Sequence, residues 1–283
     1  EGGVVGQPVV VDVREEGDSA TTAVLAVQEL VQARADIIIG PTSSIATLAA
    51  LSTAVDAGVL TCSPTASALA LDDFPDNGLF IRTVPSDSLQ AVALATLADD
   101  AGGARTALEY LDDPYGRPLA EHAQRALRAK GVSLATTAGF TAAEDSLGAA
   151  VDQLVATQPD VVIVIADATT GPTAISAIDS ALVTTRPTYI VNDSIRRPDA
   201  SAQPFGAALA ERVVGVSPQA VVTDVDFESR LAEVDPDATG VFAQNGYACL
   251  DLVALAASSA RSVRAADIAA AVPGVSGGGS SCR

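Results

Sequence analysis

The sequence has no methionine and no tryptophan, and only one histidine and one lysine among its 283 residues. A chain without Met has no start residue, so the expectation is a processed or trimmed product. With His122 as the only histidine and no C-x-x-C pair among Cys62, Cys249 and Cys282, neither a metal site nor another cofactor is expected. The odd cysteine count leaves at least one unpaired thiol. Cys62, inside an apolar run, reads as a small buried residue, and Cys282, near the end, as one whose partner was lost to truncation. The compartment stays open on this evidence. Aromatics make up 4% of the chain, so a core must be built from Ala, Val, Leu and Ile. Apolar runs such as Val161–Ala166 are strand-sized, far short of the roughly 20 residues of a membrane span. There is no Gly-x-Ser-x-Gly elbow, Walker loop or strand-borne Gly-x-Gly-x-x-Gly, and His122 reads as a solvated helix residue, so no enzyme is expected.

Acid dominates what is present. Asp and Glu number 35 against 16 Lys and Arg, a formal net charge of −19. Such a surface repels nucleic acid and anionic lipid, although its simplest meaning is solubility. Hydrophobic residues reach 48%, enough for a sizeable core. At about 150 residues per domain, the length suggests two domains.

Short apolar runs alternate with amphipathic stretches. Strands are expected at Val9–Val13, Ile37–Ile39, Val59–Cys62, Leu79–Arg82, Ala104–Leu111, Ser133–Thr137, Val161–Ala166, Thr188–Val191 and Val213–Val216. Helices are expected at Ala20–Ala33, Ser44–Ala57 (Ile45, Leu48 and Leu51 inward), Ser86–Asp100, Gly116–Lys130, Asp145–Thr157, Thr169–Leu182, Pro204–Glu211, Phe227–Glu233, Val241–Ser259 and Ala265–Ala271. This rhythm is that of βαβ units, an α/β class with parallel sheets. There are too many units for one sheet of usual size, so two Rossmann-like lobes are the simpler account.

In open parallel sheets, ligands bind beyond the carboxyl ends of strands. Two neighbouring strand-to-helix loops there are rich in hydroxyls: Gly40-Pro41-Thr42-Ser43-Ser44 and Ser63-Pro64-Thr65-Ala66-Ser67. Thr42, Ser43, Ser44, Thr65, Ala66 and Ser67 could cradle a carboxylate with hydroxyl and backbone N–H donors, or simply cap helices. A third loop, Asp112 to Gly116, carries Tyr115, which could cover a ligand or belong to an ordinary Asp-Pro turn. Asp167 and Asp193 follow further strands. Either could pair with an ammonium group or cap the element that follows. Hydroxyls on one half and acids on the other would match the two ends of a zwitterion.

These loops carry a resemblance that covers nearly the whole chain. Gly2-Gly3-Val4-Val5-Gly6-Gln7-Pro8-Val9, Ile37-Ile38-Ile39-Gly40-Pro41-Thr42-Ser43-Ser44, Ser63-Pro64-Thr65-Ala66-Ser67, Phe80-Ile81-Arg82-Thr83-Val84-Pro85-Ser86-Asp87, Asp113-Pro114-Tyr115-Gly116 and Asn245-Gly246-Tyr247-Ala248 are, in order and spacing, similar to the type I periplasmic binding proteins of branched-chain amino-acid transporters. The resemblance implies a hinged cleft between discontinuous lobes, one of residues 1–85 and 219–272, the other of 86–218, with a flexible tail at 273–283. It implies that Ser44, Thr65 and Ser67 take the ligand's α-carboxylate, Tyr115 contacts ligand from the second lobe, and Asp193 takes the α-ammonium group. Asp167 stands at a position often aromatic in the family, which implies a polar or basic ligand side chain rather than an aliphatic one. The family's first strand and helix and its last strands have no counterpart here, which marks the sequence as part of a longer chain. The function implied is an extracytoplasmic, lipid-anchored, monomeric receptor that closes around an amino acid and delivers it to an ABC permease, with no nucleic-acid partner. A ligand-sensing domain of the same fold is the alternative. An enzyme on this scaffold lacks a base to pair with a nucleophile.

Overall fold

The computed structural model describes residues 3–17, 19–141, 143–196, 205–218, 226–236 and 242–277. In chain order the elements are α1 (Ala20–Gln32), β1 (Ile37–Ile39), α2 (Ser44–Asp56), β2 (Leu60–Ser63), β3 (Phe80–Arg82), α3 (Asp87–Asp100), β4 (Thr106–Leu111), α4 (Gly116–Ala129), β5 (Leu134–Phe140), α5 (Glu144–Val155), β6 (Val161–Ile165), α6 (Thr170–Ala181), β7 (Thr188–Val191), α7 (Ala207–Ala210), β8 (Val213–Gly215), α8 (Phe227–Val234), α9 (Ala243–Ala260) and α10 (Ala265–Ser276). The chain divides into two compact units, Glu1–Pro85 with Ala220–Arg283, and Ser86–Gln219.

The first unit holds a parallel sheet ordered β1-β2-β3. One face is covered through Ala23, Val27, Ala46, Ala50 and Ala54 of α1 and α2. The other is covered through Cys249, Val253, Ala256, Ile268 and Val272 of α9 and α10. Alanine at the α2 contact lets the helix sit close. The buried face is therefore Ala46, Thr47, Ala50, Leu51 and Ala54, while Ile45, expected inward, is exposed. A disulfide joins Cys62 at the end of β2 to Cys249 of α9, with Cα atoms 5.9 Å apart. Cys62 is thus buried as expected but is half of a cross-link. Cys282 lies outside the described residues.

The second unit holds a parallel sheet ordered β5-β4-β6-β7-β8. Its central strand β6 is wholly buried, as its unbroken Val/Ile run requires of a strand covered on both sides. Leu94, Leu119, Ala123 and Leu127 of α3 and α4 pack on one face. Leu154, Ala174, Ile175 and Ile178 of α5 and α6 pack on the other.

Two expectations are corrected. Val9–Val13 forms no strand: its valines are exposed, and β1 has β2 as its only ladder neighbour among the described residues. An apolar run becomes a strand only with a partner for its backbone. These residues instead line an open apolar groove of about 570 Å³ with Ile37–Ile39, Leu250 and Val253. In addition, α10 runs to Ser276, past the expected start of the tail at 273, because buried Val272 and partly buried Val275 extend its core-facing stripe across Pro273. The remaining tail from 278, Pro204 at the start of the expected short helix, and Val241 at the start of the expected helix Val241–Ser259 lie outside the described residues.

Candidate functional site

The strand-end loops of the first unit are tied to each other. Gly40, with φ of 121°, starts the first loop in a conformation that favours glycine. The Ser63 hydroxyl donates to the Pro41 carbonyl at 2.6 Å and accepts the Ala66 N–H at 3.1 Å. The Thr65 hydroxyl donates to the Thr42 carbonyl. The buried Ser44 oxygen accepts the N–H groups of both Ser67 and Ala68 at 3.1 Å. These bonds bring Thr42, Ser44, Thr65, Ala66 and Ser67 into one cluster.

A hydroxyl has one donor and two acceptor positions. Both acceptor positions of Ser44 are filled, and its O–H donates to no atom among the described residues. The buried Ser67 hydroxyl has no partner there either. Thr65 has already given its proton to Thr42. The cluster therefore offers two uncommitted O–H donors, Ser44 and Ser67, held by a backbone they help to fold. Ser43 caps α2, its oxygen accepting the Ala46 N–H at 2.9 Å, which is the capping role left open for it. Thr42 gives both its N–H, at 2.8 Å, and its hydroxyl to the carboxylate of Glu16. The loop can thus hold a carboxylate, and an internal one sits on it.

The second unit gathers side chains at its strand ends, some bonded to backbone and some to each other. Asp113 Oδ1 accepts the N–H groups of Tyr115 and Gly116 at 2.8 and 2.6 Å, which sets the turn into α4. A Cβ on Gly116 would lie 2.1 Å from the Leu111 carbonyl oxygen, so only glycine fits this turn. Tyr115 then points its hydroxyl at the residues after β7. It donates to Asp193 Oδ1 at 3.3 Å, with Ser194 Oγ 3.2 Å from it and Asn192 Nδ2 3.5 Å away. The Asn192 side-chain Oδ1 accepts the Ala166 N–H at 3.0 Å, joining the ends of β6 and β7. Gln90 Oε1 accepts the Asp193 N–H at 2.8 Å, and Gln90 Nε2 donates to Asp87 Oδ1 at 2.5 Å.

Asp87, Gln90, Asn192 and Asp193 are all buried. Burial pushes the Asp193 carboxyl above its usual range, opposed by hydrogen bonds from Gln90, Ser194 and Tyr115. Burial first, and then the charges of Asp193 and Asp87, push the Tyr115 phenol upward, so it remains an O–H donor. Among the described residues no Lys or Arg pairs with Asp193. A buried carboxylate in that state favours a cation brought from outside. Asp167 stands apart from this network. It is exposed, and its Oδ1 accepts Thr169 N–H, Thr170 N–H and the Thr170 hydroxyl at 2.8, 2.6 and 2.9 Å, capping α6.

Sequence reasoning missed Gln90, Asp87, Asn192 and Ser194. The last two flank Asp193 and could have been drawn in as a polar triplet at a strand end. Gln90 is 103 residues from Asp193 and carries no local signal.

Comparison with known proteins follows the same lines. The sequence model of one family, described as periplasmic binding protein, matches residues 1–276. No curated protein matches the chain. Among solved structures, a leucine binding protein, LivK, from Thermotoga maritima is 18% identical with a TM-score of 0.83, covering 96% of this chain and 78% of its own. An ABC transporter substrate-binding protein from Desulfitobacterium hafniense in complex with Leu is 22% identical, TM-score 0.76, covering 96% and 79%. A solute binding protein of an ABC transporter from R. palustris in complex with benzoate is 16% identical, TM-score 0.75, covering 96% of this chain and 76% of its own.

Proposed function

The chain belongs to the periplasmic binding protein family, and from that premise we propose that it is the extracytoplasmic receptor of an ABC-type uptake system, binding a free amino acid or a similar small zwitterion. The family is one of binding proteins, not of enzymes. The observation that carries the ligand class is Asp193: buried, bonded to Tyr115 and without a basic partner among the described residues. Such a group fits an ammonium ion. In this reading the uncommitted hydroxyls of Ser44 and Ser67 take the ligand's carboxylate. Thr65 supports them through Thr42, and Ala66 and Ser43 shape their loops. The solved relatives bind both leucine and benzoate, so the fold leaves the choice of ligand to such side chains.

In this reading the receptor is a lipid-anchored monomer that delivers its ligand to a membrane permease. A buried disulfide suits an oxidising compartment outside the cytoplasm. The net charge of −19 disfavours nucleic acid as a partner. The test is a thermal-shift screen of the protein against free amino acids, small amides and simple carboxylates, followed by calorimetry of the hits. Stabilisation by at least one amino acid with micromolar or tighter binding is expected. A protein that answers only to ligands lacking an amine refutes the assignment.

A further inference from the structure

We propose that Gln90 is the positioning residue of the cation-binding half of the site, holding the main chain of Asp193 in place while Asp87 fixes the orientation of the Gln90 amide. This rests on the amino-acid reading above, because it presumes that Asp193 receives an ammonium group.

The geometry argues for it atom by atom. Gln90 lies in the first turn of α3, buried, with its carbonyl oxygen on the Asp193 N–H at 2.8 Å and its NH₂ on Asp87 Oδ1 at 2.5 Å. Exchanging the amide's oxygen and nitrogen would set N–H against N–H at Asp193 and oxygen against carboxylate at Asp87. Only one orientation is therefore consistent with both partners. The NH₂ also lies 3.5 Å from the Tyr115 hydroxyl, so one side chain touches three members of the network.

The bond to Asp193 is made to its backbone. It fixes where the residue stands and leaves Oδ1 to Tyr115 and Ser194. Gln90 is also neutral. An Arg or Lys could have held Asp193 as firmly, but would have cancelled the charge that an incoming cation needs. A neutral clamp on the backbone keeps the carboxylate both placed and unpaired. The titratable groups facing this amide are Asp87, Tyr115 and Asp193, and the experiment uses them.

Two variants, Gln90→Leu and Gln90→Glu, are compared with the wild type by calorimetry with two probes: L-leucine and 4-methylpentanoate, the same skeleton without the amine. Gln90→Leu should weaken leucine by about 10- to 100-fold, the range of a lost charge-linked hydrogen bond, and leave 4-methylpentanoate unchanged. Gln90→Glu puts a second acid against Asp87. Its leucine affinity relative to wild type should be poor at pH 8 and recover at pH 5, where one proton shared with Asp87 replaces the amide N–H. A merely structural role would produce no such recovery. If Gln90→Leu does not fold, this pH comparison decides alone. In a third arm, without ligand, the Asp193 carboxyl is titrated by carbon NMR. Its midpoint should rise in Gln90→Leu, because the polar Gln90 side chain, which works against the upward push of burial on that carboxyl, is gone. An unchanged midpoint, equal loss of both probes, or a Gln90→Glu deficit independent of pH overturns the proposal. If the wild type ignores leucine while the midpoint still rises, Gln90 keeps its hold on Asp193 and leucine is not a ligand of this protein.

Discussion

The strand-end loops of the two units solve the same problem with different chemistry. In the first unit, neutral hydroxyls serve the backbone: Ser44 holds two N–H groups, Ser63 bridges two loops, and Thr65 bonds to a carbonyl. A buried disulfide begins at the residue before Ser63. In the second unit, side chains bond to one another as well as to backbone, and two of them are buried acids. Hydroxyls that satisfy backbone groups are inexpensive to bury. Buried carboxylates are not, and they persist only where their surroundings or their task demand it. The contrast leaves the first unit with a loop network that mainly holds its own backbone, and the second with a buried acid that has no basic partner among the described residues.

Removing that charge is the largest blow the comparison can receive. Asp193→Asn keeps the size and much of the hydrogen bonding of the residue but leaves an ammonium group without its counter-charge. Amino-acid affinity should fall by about 3–5 kcal/mol, roughly two to four orders of magnitude, with 4-methylpentanoate nearly unaffected. Calorimetry with both ligands checks this, and equal losses would sink the assignment of charge selectivity to the second unit.

The next largest effect should fall on the other unit. Replacing Cys62 and Cys249 together by Ala removes a link across 187 residues and should cost about 2–4 kcal/mol. Hydrogen exchange should rise in β2 and α9 but not in β6. Uniform acceleration across both sheets would mean that the units do not open separately.

A smaller effect sharpens the contrast inside the second unit. Glu109 on β4 is also buried, but neither of its oxygens has a hydrogen-bond partner among the described residues. Burial pushes its carboxyl up to about 8 from an ordinary 4.5. Below pH 4.5 the group is neutral in both folded and unfolded chains. Between 4.5 and about 8 the unfolded chain ionises while the native one stays protonated, so stability falls as pH rises. Above that range both are ionised and the penalty stops growing. Glu109→Met should therefore stabilise the protein by about 2 kcal/mol at pH 8, less than the full linkage because water entry relieves a buried charge, and by less at pH 4.5. Urea unfolding at the two pH values measures it. The network around Asp193 is what Glu109 lacks, and an absence of any gain would mean that Glu109 has found a partner after all.

How much of this could be read beforehand follows the range of each interaction. Strands such as β6 announce themselves because an unbroken Val/Ile run has few other uses. The hydroxyl loops were legible because strand ends, Ser and Thr clusters and helix starts all lie within a few residues. Asp193 and Tyr115 were legible as strand-end residues, though not as partners. What failed was long-range or cooperative. Val9–Val13 has strand chemistry but no strand to pair with among the described residues. Cys62 and Cys249 meet only through the packing of α9 on β2, and Gln90 meets Asp193 across a gap that no local pattern spans. Asp167 carried two meanings; its Oδ1 makes three bonds to Thr169 and Thr170 at the start of α6, and the ligand meaning stays a proposal.

The smallest predicted effect separates holding a loop from holding a ligand within the first unit. Ser44 and Ser67 both offer an uncommitted O–H, but only Ser44 also accepts backbone bonds. Ser67→Ala should therefore weaken leucine and 4-methylpentanoate alike by about 1 kcal/mol, a typical neutral hydrogen bond, and leave the melting temperature unchanged. Ser44→Ala should weaken both ligands similarly and also lower the melting temperature, because the N–H groups of Ser67 and Ala68 lose their acceptor. Neither substitution should discriminate between a ligand with an amine and one without, because a hydroxyl on the carboxylate side does not sense the ammonium. If Ser67→Ala proved as destabilising as Ser44→Ala, its hydroxyl would have to be serving the fold. The carboxylate would then need donors from elsewhere, and the nearest candidates are the N–H and hydroxyl of Thr42 that Glu16 now holds.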